Sequence, residues 1–493
     1  DFVVHLGDYT YETVALEGQD SSFQGGGPEE RQFRFPSGDG DEELTLEDYR
    51  FTYKLYKTDE NLQAVHENFA MIMIWDDHEF ANDAYQTFAP DQGGNQDGNK
   101  DNPRRREFAN LAWFQYNPVG VFYNSAKDPI NEIAIYRSFA FGKLMELVMT
   151  DERLYRDGPP CGNDTQDRSL TPGCGAEESE GRTMLGDGTP GENGRLRPRQ
   201  LDYFTQKITR SPRTWKIWGN EVTVMQLKVA NSMLGAELPP GTISSLEELF
   251  PGIEDFPAAS SVGAPEGVYT TLDGWDGYQA ERNRIMRTFR DDGTFPGRGN
   301  PGVKNFITIT GDIHSYFAEY LKEDFDEISC SGDNRPVGIE LVSPSITSSN
   351  LSEIAQFGFG AAPRPEVNLF TTQVTANNPH IKYFNSEQHG YNIVEVTEDS
   401  LVCEMKAVVV PEENITQENR GSAIREPERE NTEIELLKRF LVPAFGTDAP
   451  GVPGTTVTEP MLYDATLSED NPVLFLCPVP VGSTVNEGVV TGG

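Results

Sequence analysis

Short apolar segments recur along the chain, and each stops abruptly at polar or charged residues. Near-continuous apolar runs of this length are typical of strands buried on both faces of a sheet. Asp, His, Asn and Arg collect where the segments end, and α/β sheets bind ligands beyond the carboxyl ends of their strands. The pattern therefore predicts an α/β protein with its site at one sheet edge. The segments are 1–8, 69–79, 144–153, 215–222, 305–314 and 337–347, followed by 391–397 and 401–410, which are closer to alternating.

Apolar residues at three- and four-residue spacing predict amphipathic helices between these segments. The predicted helices cover 44–69, 104–118, 273–292 and 431–445. Long insertions rich in Gly, Pro and Asp predict surface loops. They cover 18–43, 86–103, 157–200 and 446–460.

The charge balance excludes several classes of function. The chain has 79 acidic and 40 basic residues, for a net charge of −39. Such a surface repels nucleic acids and anionic membranes, so we expect no nucleic-acid binding. The sequence also lacks a run of the roughly 18 apolar residues that a membrane helix needs, which predicts no membrane span.

The cysteines are few and unevenly spaced. Cys161 and Cys174 bracket a loop rich in Gly and Pro, and we predict a small disulfide loop there, because further Cys or His residues for a metal site are missing nearby. Among Cys330, Cys403 and Cys477, at least one thiol must stay unpaired.

Four segment ends carry residues that bind hard metal ions. They are Asp8 with Tyr11, the run Asp76-Asp77-His78-Glu79, Asn220, and Asp312 with His314. Oxygen donors with one or two imidazoles suit Ca²⁺, Mg²⁺, Mn²⁺ or Fe³⁺ rather than a thiolate zinc site. The run 97–101, DGNKD, lacks the Gly and the final acid of an EF-hand loop and is rejected as one.

The order of these motifs resembles the calcineurin-like metallophosphatase superfamily, and more narrowly the PhoD-type alkaline phosphatases. The matching strings include HLGDYTYE, IWDDHEFANDAY, TDERLYRDG, WKIWGNEV, DGWDGYQAERNRI, ITGDIHSYF and HGYNIVEV. The resemblance implies a four-layer α/β/β/α sandwich with long surface loops. It further implies a catalytic domain over 1–430, lacking the family's first strand, and a C-terminal helix and tail over 431–493 that could cap the active site.

The resemblance also implies a role for each motif residue. Asp8 would bridge two metals, with Tyr11 and His314 on the first. Asp77, Asn220 and Asp312 would complete the second. This donor set implies Fe³⁺ at the first position and Ca²⁺ at the second, with Mn²⁺ or Zn²⁺ as alternatives. In the family a Cys on a strand upstream of GDxxY also binds the iron, and no residue of this chain matches it.

Other motif residues are candidates for catalysis or substrate binding. His78 is the candidate that assists the leaving group, and Arg153 is the candidate phosphate clamp. Alternatively, Arg153 and Arg156 form ion pairs with Asp151 and Glu152. Asn220 could instead contact phosphate or satisfy backbone groups. Residues that could bind substrate or support the site from behind are Asp76, Arg156 and His389.

The function these residues imply is extracellular hydrolysis of phosphate mono- and diesters by metal-activated water, with small phosphate esters as substrates. The alternatives are a purple-acid-phosphatase-like or nucleotidase phosphoesterase, and a non-catalytic acidic calcium-binding surface protein. The expected location is secreted, periplasmic or at the cell surface. The sequence leaves the oligomeric state open.

Overall fold

A computed structural model describes residues 1–12, 35–38, 43–89, 100–160, 179–229, 268–290, 302–348, 350–351, 374–375, 377–409, 432–452 and 454–477. The helices are α1 (Leu46–Tyr56), α2 (Glu60–Asn68), α3 (Pro103–Tyr116), α4 (Gln200–Arg210) and α5 (Gln279–Phe289). The strands are β1 (Phe2–His5), β2 (Ala70–Met73), β3 (Phe88–Ala89), β4 (Lys100–Asp101), β5 (Arg137–Phe141), β6 (Met145–Met149), β7 (Trp215–Gly219), β8 (Lys228–Val229), β9 (Val268–Tyr269), β10 (Phe306–Thr310), β11 (Tyr316–Leu321), β12 (Gly338–Val342), β13 (Ile381–Asn385), β14 (His389–Val396), β15 (Ser400–Val409), β16 (Glu433–Pro443), β17 (Leu462–Asp464) and β18 (Val473–Phe475).

The largest sheet has seven strands in the order β13-β11-β12-β10-β7-β6-β5. Its four central strands, β6, β7, β10 and β12, run parallel, so their carboxyl ends lie at one edge. β1 and β2 form a separate parallel pair. These arrangements create the strand-end geometry in which α/β proteins bind ligands.

A second large sheet has the order β14-β15-β16-β17-β18 and is antiparallel throughout. Buried residues of both large sheets and of α3 belong to one core, which includes Ile307, Ile339, Met405, Phe440 and Trp113. In a second core, α4 and α5 pack against the other face of the seven-stranded sheet. The predicted fold class, a layered α/β metallophosphatase-type sandwich, is confirmed.

One predicted helix is wrong. The segment 431–445 contains the strand β16, which pairs with β15 and β17. The register shifts between Met405 and Lys406, so Leu437 is an extra residue on β16. Such a bulge breaks the period-two alternation, and the apolar residues on either side of it then repeat at helical spacing. The predicted boundary at residue 430 falls within the connection between two paired strands.

The predicted helix 44–69 is divided into α1 and α2. α1 begins with a capping box, in which the Thr45 side chain accepts from the Asp48 backbone N–H and the Asp48 carboxylate accepts from the Thr45 backbone N–H. Asp59 then caps α2 by accepting from the backbone N–H of Leu62 at 2.8 Å. The break comes from this second cap, because its extended backbone cannot continue α1.

A disulfide joins Cys330, between β11 and β12, to Cys477, just after β18. It therefore links the two large sheets. Cys403 is a free, buried thiol, as the odd number of these cysteines requires. The predicted disulfide between Cys161 and Cys174 lies outside the described residues. Among the described residues, the helices are too short or too polar to cross a membrane.

Candidate metal centre

The loops after β1, β2 and β10 bring polar side chains together at the strand ends. Asp8, Asp312 and His314 all have left-handed backbones, with φ values of 55°, 66° and 53°. This conformation is uncommon for residues other than glycine and is concentrated at functional sites. Gly7 has φ 111°, and a Cβ there would lie 2.3 Å from that of Asp76. Glycine therefore lets the loops after β1 and β2 come into contact.

Asp8, Tyr11 and His314 form one compact group although they lie far apart in the chain. The Tyr11 hydroxyl donates to Asp8 Oδ2 at 3.1 Å and lies 3.0 Å from His314 Nε2. His314 Nε2 lies 3.7 Å from the same carboxylate oxygen. A carboxylate, a phenol and an imidazole thus converge on one point, which is the donor set predicted for the first metal.

A group of carboxylates adjoins this point. Asp76, Asp77 and Asp312 each place an oxygen within 4.8 Å of the others, and Asp8, Asp77 and His78 form a second such group. Backbone N–H groups of His78 and Asp83 donate to Asp77 at 3.0 and 2.6 Å. Asp77 is therefore held at the junction of both groups, where the sequence predicted a ligand of the second metal.

Arg153 lies among these acids. Its Nη2 donates to Asp312 Oδ1 at 3.1 Å and lies 3.5 Å from Asp77 Oδ1. Its other donors reach Asp76 and Asp273. The side chain is 0% exposed, so its donors serve the carboxylates in this structure. The guanidinium thus pairs with these four acids and not with Asp151 and Glu152, the partners weighed in the sequence analysis. Its role as a phosphate clamp stays a prediction.

Arg156 supports the same arrangement from the side. Its guanidinium pairs with Asp273 and donates to the backbone carbonyl oxygens of Asp83 and Ala84 at 2.9 and 3.0 Å. Asp273 therefore joins the two arginines. Because Arg156 also holds the turn that follows Asp77, it connects the strand end of β6 to the loop after β2.

Asn220 follows β7 and is fully buried. Its Oδ1 accepts from Trp275 Nε1 at 3.1 Å, and its Nδ2 donates to the backbone carbonyl of Val222. These contacts fix the amide orientation and leave Oδ1 a second lone pair. The backbone-satisfying role weighed above is thus present, and its role as a metal ligand stays a prediction.

Two glutamates to which the sequence analysis gave no individual role, Glu12 and Glu79, hold the site together. Glu12 Oε2 lies 2.7 Å from His78 Nδ1. The Glu79 carboxylate accepts from the backbone N–H groups of Asp8, Tyr9 and Asp76 at 3.0, 2.7 and 2.7 Å. Glu79 therefore fastens the loop after β1 to the loop after β2.

Burial is the largest influence on each acid of the site. It raises the pKa of Asp312 to about 7 despite the nearby Arg153, with repulsion from Asp77 adding to the effect. It also opposes ionisation of Asp8, but His78, His314 and Arg153 outweigh it and lower the Asp8 pKa to about 2. Negative charge is thus crowded beyond what the nearby cations balance, an imbalance that a bound metal ion relieves.

His389 begins β14 and lies behind these groups. Its Nδ1 is 3.1 Å from the Ser345 hydroxyl, which in turn donates to the backbone carbonyl of Ser348. His389 therefore contacts the turn at 345–348, and its role in substrate binding stays a prediction.

The donors fit the implied metals. Asp8 Oδ1 is buried and has no hydrogen-bond partner among the described residues, so one oxygen of the predicted bridging carboxylate remains available. Asp8, Tyr11 and His314 suit a hard trivalent ion, and the oxygens of Asp8, Asp77 and Asp312 suit Ca²⁺. Burial and the neighbouring Asp8 raise the pKa of the Tyr11 phenol, so a metal must displace its proton.

The local motifs did contain signals for the residues that the prediction left out. Glu12 follows Tyr11 directly, Glu79 completes the run DDHE, and Asp273 begins the string DGWDGY. Their partners lie on distant segments, however. A role for each could be recognised only from contacts across 66, 70 or 120 residues of chain.

Comparisons with known proteins agree with this layered fold. The model of the PhoD-like phosphatase family matches residues 1–405, and the chain belongs to this family. Alkaline phosphatase D of Bacillus subtilis (strain 168) is 26% identical over 400 residues, which cover 80% of this chain and 52% of that protein. The chain thus spans about half the length of this curated relative.

A solved structure described as the structure of PhoD has the same fold. Its TM-score is 0.58 at 21% identity, and the match covers 92% of this chain and 68% of the solved one. The structural match extends beyond the 405 residues of the family model. The predicted family and fold are therefore confirmed.

Proposed function

We propose that this protein is a metal-dependent phosphoesterase that hydrolyses phosphate mono- and diesters. The observation that carries the proposal is the convergence of Asp8, Tyr11 and His314 beside the carboxylates of Asp77 and Asp312. Membership of the PhoD-like phosphatase family supports it. The relative named alkaline phosphatase D adds support for the reaction class.

The proposed cofactors are Fe³⁺, bound by Asp8, Tyr11 and His314, and Ca²⁺, bound by Asp8, Asp77, Asn220 and Asp312. When bound, such ions lower the pKa of a water molecule and neutralise charge on phosphoryl oxygens. The protein supplies the positions of the ligands. Glu79 holds the loop of Asp8 against that of Asp77, and Arg153 fixes the carboxylates of Asp77 and Asp312.

His78 is the proposed general acid. Its side chain is 16% exposed, and one ring nitrogen lies within 4.8 Å of the oxygens of Asp8 and Asp77. An imidazole at that distance can give a proton to the leaving oxygen of an ester bound at the carboxylate cluster. Arg153 can assist only if a phosphoryl group replaces one of its carboxylate partners.

We further propose that the protein acts outside the cytoplasm. The disulfide between Cys330 and Cys477 supports this location, because disulfides persist in oxidising compartments. The large negative charge of the chain, −39, is compatible with small esters approaching a metal-loaded site, and it disfavours nucleic acids as bulky partners.

Activity with p-nitrophenyl phosphate and bis-p-nitrophenyl phosphate tests the function. The purified protein should hydrolyse at least one of them in the presence of Ca²⁺ and should contain iron. Asp8→Asn should abolish turnover, whereas the matched change Asp333→Asn on an exposed turn should not. A folded wild-type protein that binds Ca²⁺ but hydrolyses neither ester would instead be a calcium-binding surface protein.

A further inference from the structure

We propose that Glu12 is a positioning residue for His78, holding the imidazole so that Nε2 is presented to the leaving group of the ester. The inference rests on the proposed function. Glu12 Oε2 lies 2.7 Å from His78 Nδ1. Because this bond occupies Nδ1, Nε2 is the ring nitrogen that remains for the substrate.

The Glu12 carboxylate is itself held rigidly. Its second oxygen, Oε1, accepts from the backbone N–H of Asn82 at 2.8 Å. Its backbone carbonyl accepts from Glu43 N at 3.0 Å. The residue is only 2% exposed, so the carboxylate has little freedom to turn. A bond from so constrained a group sets the direction of the imidazole as well as its distance.

The imidazole is also held across its face. The rings of Tyr11 and His78 have centroids 4.1 Å apart. Glu12 restrains the ring at its edge while Tyr11 restrains it from one side. Rotation about the side-chain bonds of His78 is thereby restricted from two directions. Preorganisation of this kind increases the fraction of bound substrate that meets the acid in reactive geometry.

The proposed step conserves atoms and charge. As water oxygen bonds to phosphorus, the bond from phosphorus to the ester oxygen breaks and its electron pair stays on that oxygen. The proton on His78 Nε2 moves to the same oxygen, and an alcohol leaves. The water that attacked releases a proton to solvent, and the imidazole takes up a proton from solvent before the next turnover. Glu12 keeps its charge throughout and acts only through His78.

A bond between these side chains could instead serve only to join the loop after β1 to the loop after β2. The two roles differ in which substrates they affect. Loss of a general acid slows esters whose alcohols leave as strongly basic alkoxides far more than esters of acidic phenols. A purely structural loss slows both classes by the same factor.

The test compares p-nitrophenyl phosphate with ethyl phosphate in the wild type, Glu12→Gln and Glu43→Gln. Glu43 is a matched control, because it is also buried and the hydrogen bond that joins it to Glu12 is between backbone groups. We expect Glu12→Gln to lower kcat/KM for ethyl phosphate by about 100-fold and for p-nitrophenyl phosphate by less than about 10-fold. Glu43→Gln should change the ratio of the two little.

His78→Gln should show the same selective loss, and the double variant should lose little more, since Glu12 acts through His78. Equal losses on both esters in Glu12→Gln overturn the inference. If that variant does not fold, equal losses in His78→Gln overturn it instead. A wild type that hydrolyses neither of these monoesters nor bis-p-nitrophenyl phosphate contradicts the proposed function itself.

Discussion

Removing the disulfide between Cys330 and Cys477 should destabilise the whole fold, because the bond closes a very long loop. The two cysteines are 147 residues apart. In the loop-entropy model, closing a loop of that length lowers the entropy of the unfolded chain and so raises its free energy by about 5 kcal/mol at 25 °C. Few side-chain contacts contribute as much, so the effect should be measurable in a chain of 493 residues.

The expected shift in melting temperature follows from the size of the protein. The unfolding entropy of globular proteins is about 2.1 cal/mol/K per residue, which for this chain amounts to about 1 kcal/mol/K. A loss of about 5 kcal/mol then lowers Tm by about 5 °C. The disulfide also anchors β18, whose Phe475 carbonyl accepts from the Tyr320 hydroxyl at 2.8 Å, so the segment should not detach separately.

The assay is calorimetric unfolding of Cys330→Ser, Cys477→Ser and the double variant. Substitution is preferable to a reducing agent, because Cys161 and Cys174 are predicted to form a second disulfide. Either single change breaks the same bond, so all three variants should melt at nearly the same temperature. A double variant within about 1 °C of the wild type would refute the reasoning, since it would show that unfolding does not release this loop.

Three further predictions concern the site and the core. Tyr11→Phe keeps the ring beside His78 but removes the phenol, and elemental analysis should show loss of iron with calcium retained. Chelation of Ca²⁺ should lower ester hydrolysis, and Ca²⁺ should restore it better than Mg²⁺, which demands a stricter octahedral geometry. Burial and the facing Glu340 raise the pKa of Glu319 in the folded protein. The folded state therefore loses stability relative to the unfolded state as pH rises from the unfolded pKa of about 4.3 towards the folded pKa. Glu319→Gln should therefore raise Tm more at pH 8 than at pH 5, whereas the exposed Glu395→Gln should not.

The strand ends could be predicted from the sequence because they are local features. Each apolar segment is followed at once by its polar residues, as in the runs that end at Asp8, Asp77 and Asp312. Parallel strands place such ends at one edge, so the types of residue already indicated a hard-metal site. The structure then placed the Tyr11 hydroxyl within hydrogen-bonding distance of both Asp8 and His314.

The helix predicted at 431–445 shows where the same reasoning fails. A bulge opposite Met405 and Lys406 inserts one residue into β16 and shifts the phase of its apolar positions. Periodicity assumes an uninterrupted element, and a bulge depends on the partner strand rather than on local sequence. The pairing with β15 could therefore not be predicted from this segment.

The sequence by itself determined the family, the class of fold and the types of side chain at the candidate site, because these follow from residue types and their order along the chain. Only the tertiary structure decided which other side chains hold them in place. Glu12 meets His78 across 66 residues, and Arg153 meets Asp273 across 120. Such contacts arise from the packing of distant strands, and local spacing carries no information about their geometry. The orientation of the proposed acid thus depends on a carboxylate whose role only the folded chain reveals.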